Sequence, residues 1–505
     1  MLCKIGCEPL EQIVHPSRCV TTRGTNLMMK LPQEVTDVLQ KLESAGFEAH
    51  IVGGCVRDLL SGREPQDWDV TTNAIPAEIQ TIFPDSFYEN NFGTVTIKTG
   101  SENQTLAQIQ ITPYRKEAKY TDKRHPEEIV FASKLEDDLS RRDFTVNALA
   151  MDKEGAITDL FEGQKDLKGK TIRTVGNPEE RFGEDALRLL RAARLATVLD
   201  FTIEETTLEA IKNNRQWLQA ISQERIRDEF MKVIDSPRTY EGMLLLLETG
   251  LLEFIIPELL EGVEVGQNLH HVYTVWEHNV RALKYTVEKN YSSHVRLAAL
   301  LHDVGKPRTK RGDGKYSTFY GHDVVGARMT AKIMERLRFS KELTEKVVRL
   351  VRYHLFYYNV GEVTESSVRR LLSKVGPENM DDLLRVREAD RIGSGTPKAV
   401  PYKLRHLKYV IDKVSHDPIS AKMLAVKGDD VMQELEMKPG PKIGLILNSL
   451  LAEVLDDPSK NTKEHLQKRI HELDKRTPEE LRESLKKIEE AVEKEEKERM
   501  KKYYV

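Results

Sequence analysis

The apolar residues of this 505-residue chain change their spacing near residue 178. Before that point the segments are short, and FGTVTIK and LAQIQIT alternate apolar with polar residues, as half-buried β-strands do. Beyond it, apolar residues recur at helical spacing almost to the end of the chain. Because the two periods specify different elements, the sequence predicts an α+β amino-terminal part followed by helical domains.

Helix and strand signals follow each other in the amino-terminal part. Val35, Val38, Leu39 and Leu42 mark one face of a predicted helix, which ends at Gly46. FEAHIV and DWDVTT are predicted strands, with a short helix, VRDLL, between them, and AIPAEIQTIF is a further predicted helix. The first 165 residues are therefore expected to mix strands and helices.

The composition narrows the class of protein. Hydrophobic residues make up 39% of the chain and charged residues 31%, which suits a helix-rich globular protein with a large core. No apolar run reaches the ~20 residues that span a bilayer, and residues 1–30 lack the apolar segment of a secretory signal. We therefore expect a cytoplasmic protein with no membrane partner. The net charge of −4 excludes a basic field over the whole molecule but leaves a local basic face open.

Residues 52–72, VGGCVRDLLSGREPQDWDVTT, contain the first candidate site. Side chains alternate along a strand, so Asp67 and Asp69 are expected on one face, where two carboxylates can bridge two Mg²⁺ ions. Gly53 and Gly54 allow a phosphate to approach the backbone closely, the helix that follows directs free N–H groups at it, and Arg57 adds a positive charge. The alternative is a solvated edge strand with no catalytic role.

A second candidate site lies in residues 141–150, which read RRDFTVNALA. Arg141 and Arg142 are candidates for holding a triphosphate, and Asp143 is a candidate for binding a ribose hydroxyl. Together with Asn147, these residues flank apolar ones. The alternative is the start of a helix with Asp143 as its cap.

A third cluster, EDALRLLRAAR, occupies residues 184–194. On one continuous helix, Arg188 lies one turn from both Glu184 and Asp185, and a surface ion-pair ladder is the simpler interpretation. The other interpretation is a base reader, because an aspartate accepts from an exocyclic amine and an arginine donates to a ring nitrogen. Cytosine and adenine present that pattern, whereas uracil and guanine present the reverse, so an Asp185–Arg188 pair would select C and A.

Four motifs occur in the order found in the class II tRNA nucleotidyltransferases: VGGCVRD…DWD, RRDFTVNALA, RFGEDALRLLRAARLA, and ERIRDEF at residues 224–230. The chain resembles this family, which includes the CCA-adding enzymes and the bacterial poly(A) polymerases, from about residue 31 to 235. The resemblance implies a polymerase-β-like head whose aspartates carry the metals and a helical neck whose Asp–Arg pair acts as a protein template. It also implies nucleotide-binding roles for Gly53, Gly54, Arg57, Arg142, Asp143, Asn147, Asp185, Arg188, Arg191 and Arg194.

One position departs from the family's pattern. The family often has an acidic residue in the strand IQITPYR where this chain has Gln110. A glutamine supplies no carboxylate charge, so either the third carboxylate is dispensable or metal binding and rate are weaker in this chain. We favour the first, because Asp67 and Asp69 can bridge both ions while Gln110 orients a water or a hydroxyl.

A second constellation lies between residues 270 and 390. The pair His302–Asp303 sits in the apolar segment RLAALLHD, and burying both side chains costs several kcal/mol unless they are paired or bind a metal. Any single histidine here can instead be structural. The whole set offers six N and O ligands, which suit one or two divalent ions of Ni, Mn, Fe, Zn or Mg. Its members are His278, His302, Asp303, His322, His354 and Asp390.

This ordered set resembles the HD-superfamily phosphohydrolases, and the resemblance implies metal-dependent hydrolysis of a phosphoester. Lys306 and Arg308, just after the HD pair, are candidates for holding the phosphate. Some CCA-adding enzymes carry such a domain, which is associated with hydrolysis of 2′,3′-cyclic phosphates. The KPGPKIG segment also resembles the carboxy-terminal region of such enzymes, and there Lys438 and Lys442 are candidates for contacting RNA phosphates, with plain loop punctuation as the alternative.

Together the resemblances imply a CCA-adding tRNA nucleotidyltransferase, with tRNA, CTP and ATP as partners, fused to an HD phosphohydrolase. One alternative is a bacterial poly(A) polymerase or an enzyme that adds only part of CCA, since these share the head motifs. Another is an HD hydrolase with a degenerate, RNA-binding head, which only Gln110 supports. The intact HD set favours the first. The loop RKEAKYTDKRHPEE is a candidate for controlling the switch from C to A.

The predicted domains follow from these segments. Residues 1–30 are unassigned, 31–165 form the nucleotidyltransferase head, and 166–235 form the neck with the nucleobase-reading helix. Residues 236–395 form the HD-type helical body, 396–470 a helical tail that contacts RNA, and 471–505 a charged carboxy-terminal helix.

Overall fold

The computed structural model describes residues 31–88, 93–117, 129–268, 272–356, 358–395 and 402–501. The unassigned segment 1–30 and most of the loop RKEAKYTDKRHPEE lie outside the described residues. The chain divides into two compact units. The first unit contains the described residues up to Lys116 together with Val130–Leu139 and Asn147–Phe161, and the second contains the other described residues.

The elements of the amino-terminal part are short, as its alternating pattern predicts. The helices are α1 (Gln33–Ser44), α2 (Gly54–Leu60), α3 (Pro76–Ile82) and α4 (Leu135–Ser140). The strands are β1 (Ala49–Val52), β2 (Asp69–Thr72), β3 (Phe87–Tyr88), β4 (Val95–Lys98), β5 (Gln108–Pro113), β6 (Arg115–Glu117), β7 (Ile129–Phe131), β8 (Leu149–Met151) and β9 (Ile157–Asp159).

Seven of these strands form one mixed sheet in the order β3-β4-β5-β2-β1-β8-β9. Only the central pair β2–β5 is parallel, with Asp69 opposite Gln110, and the other neighbouring pairs are antiparallel. The three helices and the strands predicted before residue 113 are present. The predicted strand DWDVTT, however, begins at Asp69 rather than at Asp67. The register explains the difference, since pairing with β5 starts at the Asp69–Gln110 position.

The core of the first unit lies between the sheet and its helices. The apolar face predicted for α1 is buried, and it joins the inward side chains of the sheet and of α3. This cluster includes Val35, Leu39, Leu42, Ile51, Val70, Ile79, Val95, Ile109 and Ile111. Burying so many branched apolar side chains fixes the order of the central strands and with it the position of Asp69.

The second unit is helical, as predicted for the chain beyond residue 178. It contains α5 (Gly163–Gly169), α6 (Pro178–Glu184), α7 (Leu187–Leu199), α8 (Glu205–Asn214), α9 (Gln223–Ile234), α10 (Thr239–Glu248), α11 (Leu252–Ile255), α12 (Val275–Glu288), α13 (Ser293–Leu301), α14 (Lys306–Thr309), α15 (His322–Arg336), α16 (Lys341–Tyr353), α17 (Glu365–Val375), α18 (Pro377–Gly393), α19 (Tyr402–Val414), α20 (Gly428–Glu434), α21 (Pro441–Asp456), α22 (Lys463–Asp474) and α23 (Pro478–Lys501). The neck, expected to be all helical, also contains the two-residue parallel strands β10 (Thr171–Ile172) and β11 (Thr202–Ile203).

Two large apolar clusters build this unit. One runs from Phe144 through the helices up to α19 and includes Leu455 of α21, while the other holds α20–α23 together. The last helix, α23, buries Leu481 and carries the expected i,i+4 ion pairs, Lys487–Glu483 at 2.7 Å and Lys486–Glu490 at 3.6 Å. None of the helices in the described residues combines the length and the apolar character that crossing a membrane requires.

Candidate functional sites

The two aspartates of the first motif keep the alternating exposure of a strand. Asp67 is exposed in the bend before β2, Trp68 is 3% exposed, and Asp69 is half-buried as the first residue of β2. The buried tryptophan between them therefore directs both carboxylates away from the core. A pair of hard carboxylate ligands on one side of the chain fits Mg²⁺.

The glycine turn before α2 brings four of the predicted nucleotide-binding residues together. Gly53 has φ +85°, which L side chains rarely adopt, and its N–H donates to the carbonyl of Leu149 at 3.1 Å. Gly54 starts α2, and Arg57 on that helix donates to Oδ1 of Asn147 at 2.7 Å. Because the Gly53 N–H is used within the sheet, the N–H groups at the start of α2 are the ones left for a phosphate.

In the second unit, Asp143 is buried and bound to Arg191 of α7. Its Oδ2 accepts from Arg191 Nε at 2.8 Å and from Nη2 at 2.5 Å, and its Oδ1 accepts from the N–H of Phe144. The charge of Asp143 raises the pKa of Arg191 above its usual value. This predicted ribose ligand is therefore held rigidly by a second predicted nucleotide-binding residue.

The helix expected through EDALRLLRAAR is interrupted. Helix α6 ends at Glu184, Asp185 is extended with φ −140° and ψ 106°, and α7 begins at Leu187. Oδ1 of Asp185 accepts from the N–H of Leu187 at 3.0 Å, so the side chain caps the new helix and stabilises the break. The expectation of one continuous helix is wrong, although Glu184 and Arg188 still form an ion pair across the break.

Different partners hold the two predicted base-reading residues. Oδ2 of Asp185 accepts from Arg225 of α9 at 2.7 Å. Arg188 donates to Glu184 and to the backbone carbonyls of Arg181 and Arg141, at 3.0 and 3.1 Å respectively. Sequence reasoning assigned no role to Arg225, although it lies in the quoted motif ERIRDEF. An acceptor and a donor are thus fixed three residues apart.

The remaining predicted nucleotide-binding arginine lies further along α7. Arg194 Nε donates to the buried Glu229 of α9 at 2.8 Å. Burial acts to raise the pKa of Glu229, but Arg194 and Arg191 outweigh it and lower that pKa. Arg194 therefore joins α7 to α9, and its geometry alone supports a structural contribution as strongly as nucleotide binding.

The six residues of the second constellation meet in the core of the helical body. They form two groups that share Asp303, and the ligand atoms within each group all lie within 4.8 Å of one another. One group is His278, His302, Asp303 and Asp390, and the other is Asp303, His322 and His354. Oδ2 of Asp303 lies 3.1 Å from His278 Nε2, and its Oδ1 lies 3.3 Å from His322 Nε2. One carboxylate therefore serves both groups, one oxygen each.

The histidine tautomers test whether these residues fit a metal. Nδ1 of His302, His322 and His354 each lies 2.7 Å from a backbone carbonyl, which only accepts, so each Nδ1 carries the hydrogen. In the neutral ring, Nε2 is then an acceptor. The Nε2 atoms of His322 and His354 face each other at 3.3 Å, where two acceptors repel unless a cation lies between them. The donor set fits a divalent cation.

The pKa values of the ligand residues also favour a bound cation. Burial acts to raise the pKa of Asp303, but His302 and Lys306 outweigh it and hold that pKa well below its usual range. Burial lowers the pKa of His302, but Asp303 and Asp390 outweigh it and raise that pKa to about 10. The carboxylates thus attract positive charge, which a divalent cation supplies as well as a proton does.

The four lysine and arginine side chains predicted to bind phosphate differ in their surroundings. Lys306 is buried, 2.5 Å from Asp303 Oδ2 and 2.6 Å from Gln267 Oε1, so it supports a ligand rather than extending toward a phosphate in solution. Arg308 lies against Glu261 at 2.6 Å. In the tail, Lys442 is bound to Asp474 at 2.6 Å, whereas Lys438 is exposed. Because their charges are already paired, Arg308 and Lys442 are weaker phosphate candidates than the sequence predicts.

Three family models match separate parts of the chain. The poly A polymerase head domain matches residues 49–173, the probable RNA and SrmB-binding site of polymerase A matches 200–262, and the HD domain matches 275–392. Together with the fold, these matches define a nucleotidyltransferase with a polymerase head and an HD domain. Such a protein uses divalent metal ions.

Similar proteins narrow the class further. A curated CCA-adding enzyme of Lactobacillus helveticus is 34% identical over 450 residues, which cover 88% of this chain and 99% of the relative. One of Lactococcus lactis subsp. cremoris is 33% identical over 86% of this chain and 95% of its own length. The crystal structure of the Bacillus stearothermophilus CCA-adding enzyme in complex with CTP is 26% identical, with a TM-score of 0.64 over 88% of this chain and 97% of that one. The chain belongs to the family of CCA-adding enzymes.

Proposed function

We propose that the protein adds C, C and A to the 3′ end of tRNA, using CTP and ATP. The observation that carries this proposal is that different partners hold Asp185 and Arg188. Arg225 holds Asp185, whereas Glu184 and two backbone carbonyls hold Arg188. A fixed acceptor beside a fixed donor complements cytosine and adenine and leaves a polar group unsatisfied opposite uracil or guanine. That selectivity is the one that CCA synthesis requires, and the relative solved with CTP supports it.

In the proposed reaction, the 3′ hydroxyl of the tRNA loses its proton to water, its oxygen bonds to the α-phosphorus of CTP or ATP, and the bond to pyrophosphate breaks. Asp67 and Asp69 would hold two Mg²⁺ ions, which when bound neutralise developing charge on the phosphates. The N–H groups at the start of α2 and the charge of Arg57 would orient the triphosphate. Asp143, fixed by Arg191, would accept from a ribose hydroxyl.

The metal assignment is tested by Asp67→Ala on a tRNA that lacks its CCA end. This variant should lose extension with CTP and ATP, because one carboxylate is removed from an already small ligand set. Asp85→Ala, which changes an exposed aspartate before β3, is the matched control and should extend as wild type does. Extension by Asp67→Ala at the wild-type rate would show that Asp67 does not hold the metal.

A second activity is supported by the shared carboxylate of Asp303. We propose that the two ligand groups bind two divalent ions of the Mn, Fe, Ni or Zn kind, because four imidazoles favour these over Mg²⁺. Such ions lower the pKa of bound water and so supply a nucleophile for phosphoester hydrolysis. In that hydrolysis, a water oxygen bonds to phosphorus, one P–O ester bond breaks, and the leaving oxygen takes a proton. Lys306 and Arg387 would keep Asp303 and Asp390 charged and oriented.

The substrate that we propose for this activity is a 2′,3′-cyclic phosphate, the end left on a damaged tRNA. His302→Ala should abolish hydrolysis of 2′,3′-cyclic CMP, while CCA addition by the same variant is measured in parallel. Loss of both activities would show that the two sites are not independent. We further propose that the predicted domain boundaries hold and that the protein works in the cytoplasm, where its tRNA substrate is processed.

A further inference from the structure

Exposed tyrosines are concentrated beside the metal ligands of the second unit. Among the described residues, the four most exposed tyrosines are Tyr316 at 74%, Tyr320 at 61%, Tyr402 at 62% and Tyr409 at 65%. Two of them precede the ligand His322 by six and two residues. An exposed aromatic ring costs hydration free energy, so such a concentration at one site is a mark of a binding surface.

The other two stand on α19, where His406 connects them. The ring centroids of Tyr402 and Tyr409 lie 6.0 and 6.2 Å from that of His406. The hydroxyl of Tyr358 is hydrogen-bonded to His406 Nδ1, and Tyr358 follows the ligand His354 by four residues. Since α19 rises about 10 Å between Tyr402 and Tyr409, the two rings can contact different bases of one strand.

Two segments next to these tyrosines are each linked, through one cation, to a carboxylate of the ligand cluster. Lys306 lies over the ring of Phe319, at 5.6 Å, and contacts Asp303 at 2.5 Å. Arg387 lies over the ring of Phe356, at 5.9 Å, and contacts Asp390 at 2.5 Å. Phe319 adjoins Tyr320 in the chain, and Phe356 precedes Tyr358 by two residues. The residues next to Tyr320 and Tyr358 are therefore connected to the ligand cluster through one cation each.

Helix α19, which carries Tyr402 and Tyr409, is basic although the chain as a whole has a net charge of −4. Helix α19 has four basic residues and one acidic residue, Asp412. Lys413 is paired with Glu365, whereas the ion pairs of the described residues include none made by the exposed Arg405 or Lys408. Basic residues interleaved with exposed aromatic rings suit the phosphates and bases of a single nucleic-acid strand.

We propose that Tyr316, Tyr320, Tyr402 and Tyr409, with the neighbouring cations, form a surface that binds single-stranded RNA leading into the HD site. This inference rests on the proposed phosphohydrolase activity and specifies its substrate class: the site acts on the end of a polynucleotide in preference to a mononucleotide. The tyrosines stack on bases near the terminus, while the cations pair with the phosphates between them.

The test compares hydrolysis of two substrates by the full-length protein. One is a short RNA ending in a 2′,3′-cyclic phosphate, and the other is 2′,3′-cyclic CMP. In the double variant Tyr402→Ala, Tyr409→Ala, the ratio of kcat/KM for RNA over that for the mononucleotide should fall about tenfold or more, because stacking on two rings is lost. The matched control Tyr402→Phe, Tyr409→Phe keeps the rings and should keep the ratio. An unchanged ratio in the alanine variant would overturn the proposal.

A second measurement separates this surface from the activity on which it rests. If the wild-type protein hydrolyses neither substrate, the phosphohydrolase proposal fails, and crosslinking decides the fate of the surface. A short single-stranded RNA containing 4-thiouridine should crosslink to the peptides that contain Tyr316, Tyr320, Tyr402 or Tyr409. Crosslinks confined to other peptides would overturn the RNA-binding surface. Disappearance of the crosslinks to the tyrosine-bearing peptides in high salt would support the contribution of the cations to RNA binding.

Discussion

Asp69 and Gln110 are register partners on the neighbouring parallel strands β2 and β5. Partners in a ladder project their side chains from the same face of the sheet, and here the backbone N–H of Gln110 also donates to the carbonyl of Trp68 at 3.1 Å. A neutral amide thus stands beside a carboxylate that we propose binds metal. Gln110 thus occupies the strand position where a third acidic ligand would lie, but its side chain carries no charge.

Restoring that charge should strengthen metal binding in the head. Gln110→Glu places a second carboxylate beside Asp69, so the Mg²⁺ concentration for half-maximal CTP incorporation should fall severalfold. Gln110→Ala should reduce kcat by less than about tenfold, because the amide at most orients a water or hydroxyl. Gln108→Glu, two residues earlier in β5 and also exposed, is the control. A loss of several hundredfold in Gln110→Ala would show that the glutamine itself is required.

Changing Asp185 to asparagine should relax the choice of base. The amide keeps the shape of the side chain but adds a donor, so uracil can be accommodated opposite it. We expect kcat/KM for UTP relative to CTP to rise by about 10- to 100-fold on a tRNA that lacks CCA. Asp228→Asn on the exposed side of α9 should leave this ratio unchanged. If Asp185→Asn lowers both rates equally, Asp185 serves only to cap α7.

The shared carboxylate of Asp303 predicts a specific metal stoichiometry. After dialysis against metal-free buffer, the wild-type protein should retain two divalent ions per chain, measured by inductively coupled plasma mass spectrometry. His354→Ala should retain one, because it removes a ligand of one group, and Asp303→Ala should retain none. Asp313→Ala, in the loop before α15, should retain both. One ion in both the wild-type protein and His354→Ala would rule out the second metal position.

Gly305 should be intolerant of a side chain. A Cβ at this position would lie 2.3 Å from the carbonyl oxygen of His322 and 2.5 Å from the N–H nitrogen of Gly326, both on α15. Gly305→Ala must therefore displace the start of that helix, at a cost of about 1–3 kcal/mol, and move His322 away from Asp303. We expect reduced metal content and hydrolysis together with a lower Tm. Gly444→Ala, where a Cβ meets nothing within 4 Å, should change none of the three.

The sequence predicted helices, strands and the kinds of functional residue better than it predicted where a helix breaks and which side chains pair with each other. The spacing of Val35, Leu39 and Leu42 was enough to find α1, because one apolar stripe must be buried whatever covers it. The break at Asp185 was missed, since EDALR has good helix formers and only a side chain-to-backbone bond interrupts them. The partner of Asp185, Arg225, lies 40 residues away and is reached only through the packing of α9 on α7. The division of six ligands into two groups likewise depends on how separate helices meet.

CCA addition is tested most directly with tRNA transcripts that end before CCA, incubated with CTP, with ATP, or with both. We expect addition of two C residues with CTP alone, completion by a single A when ATP is also present, and no extension beyond it. An untemplated ladder of A residues would instead identify a poly(A) polymerase and would rule out CCA addition.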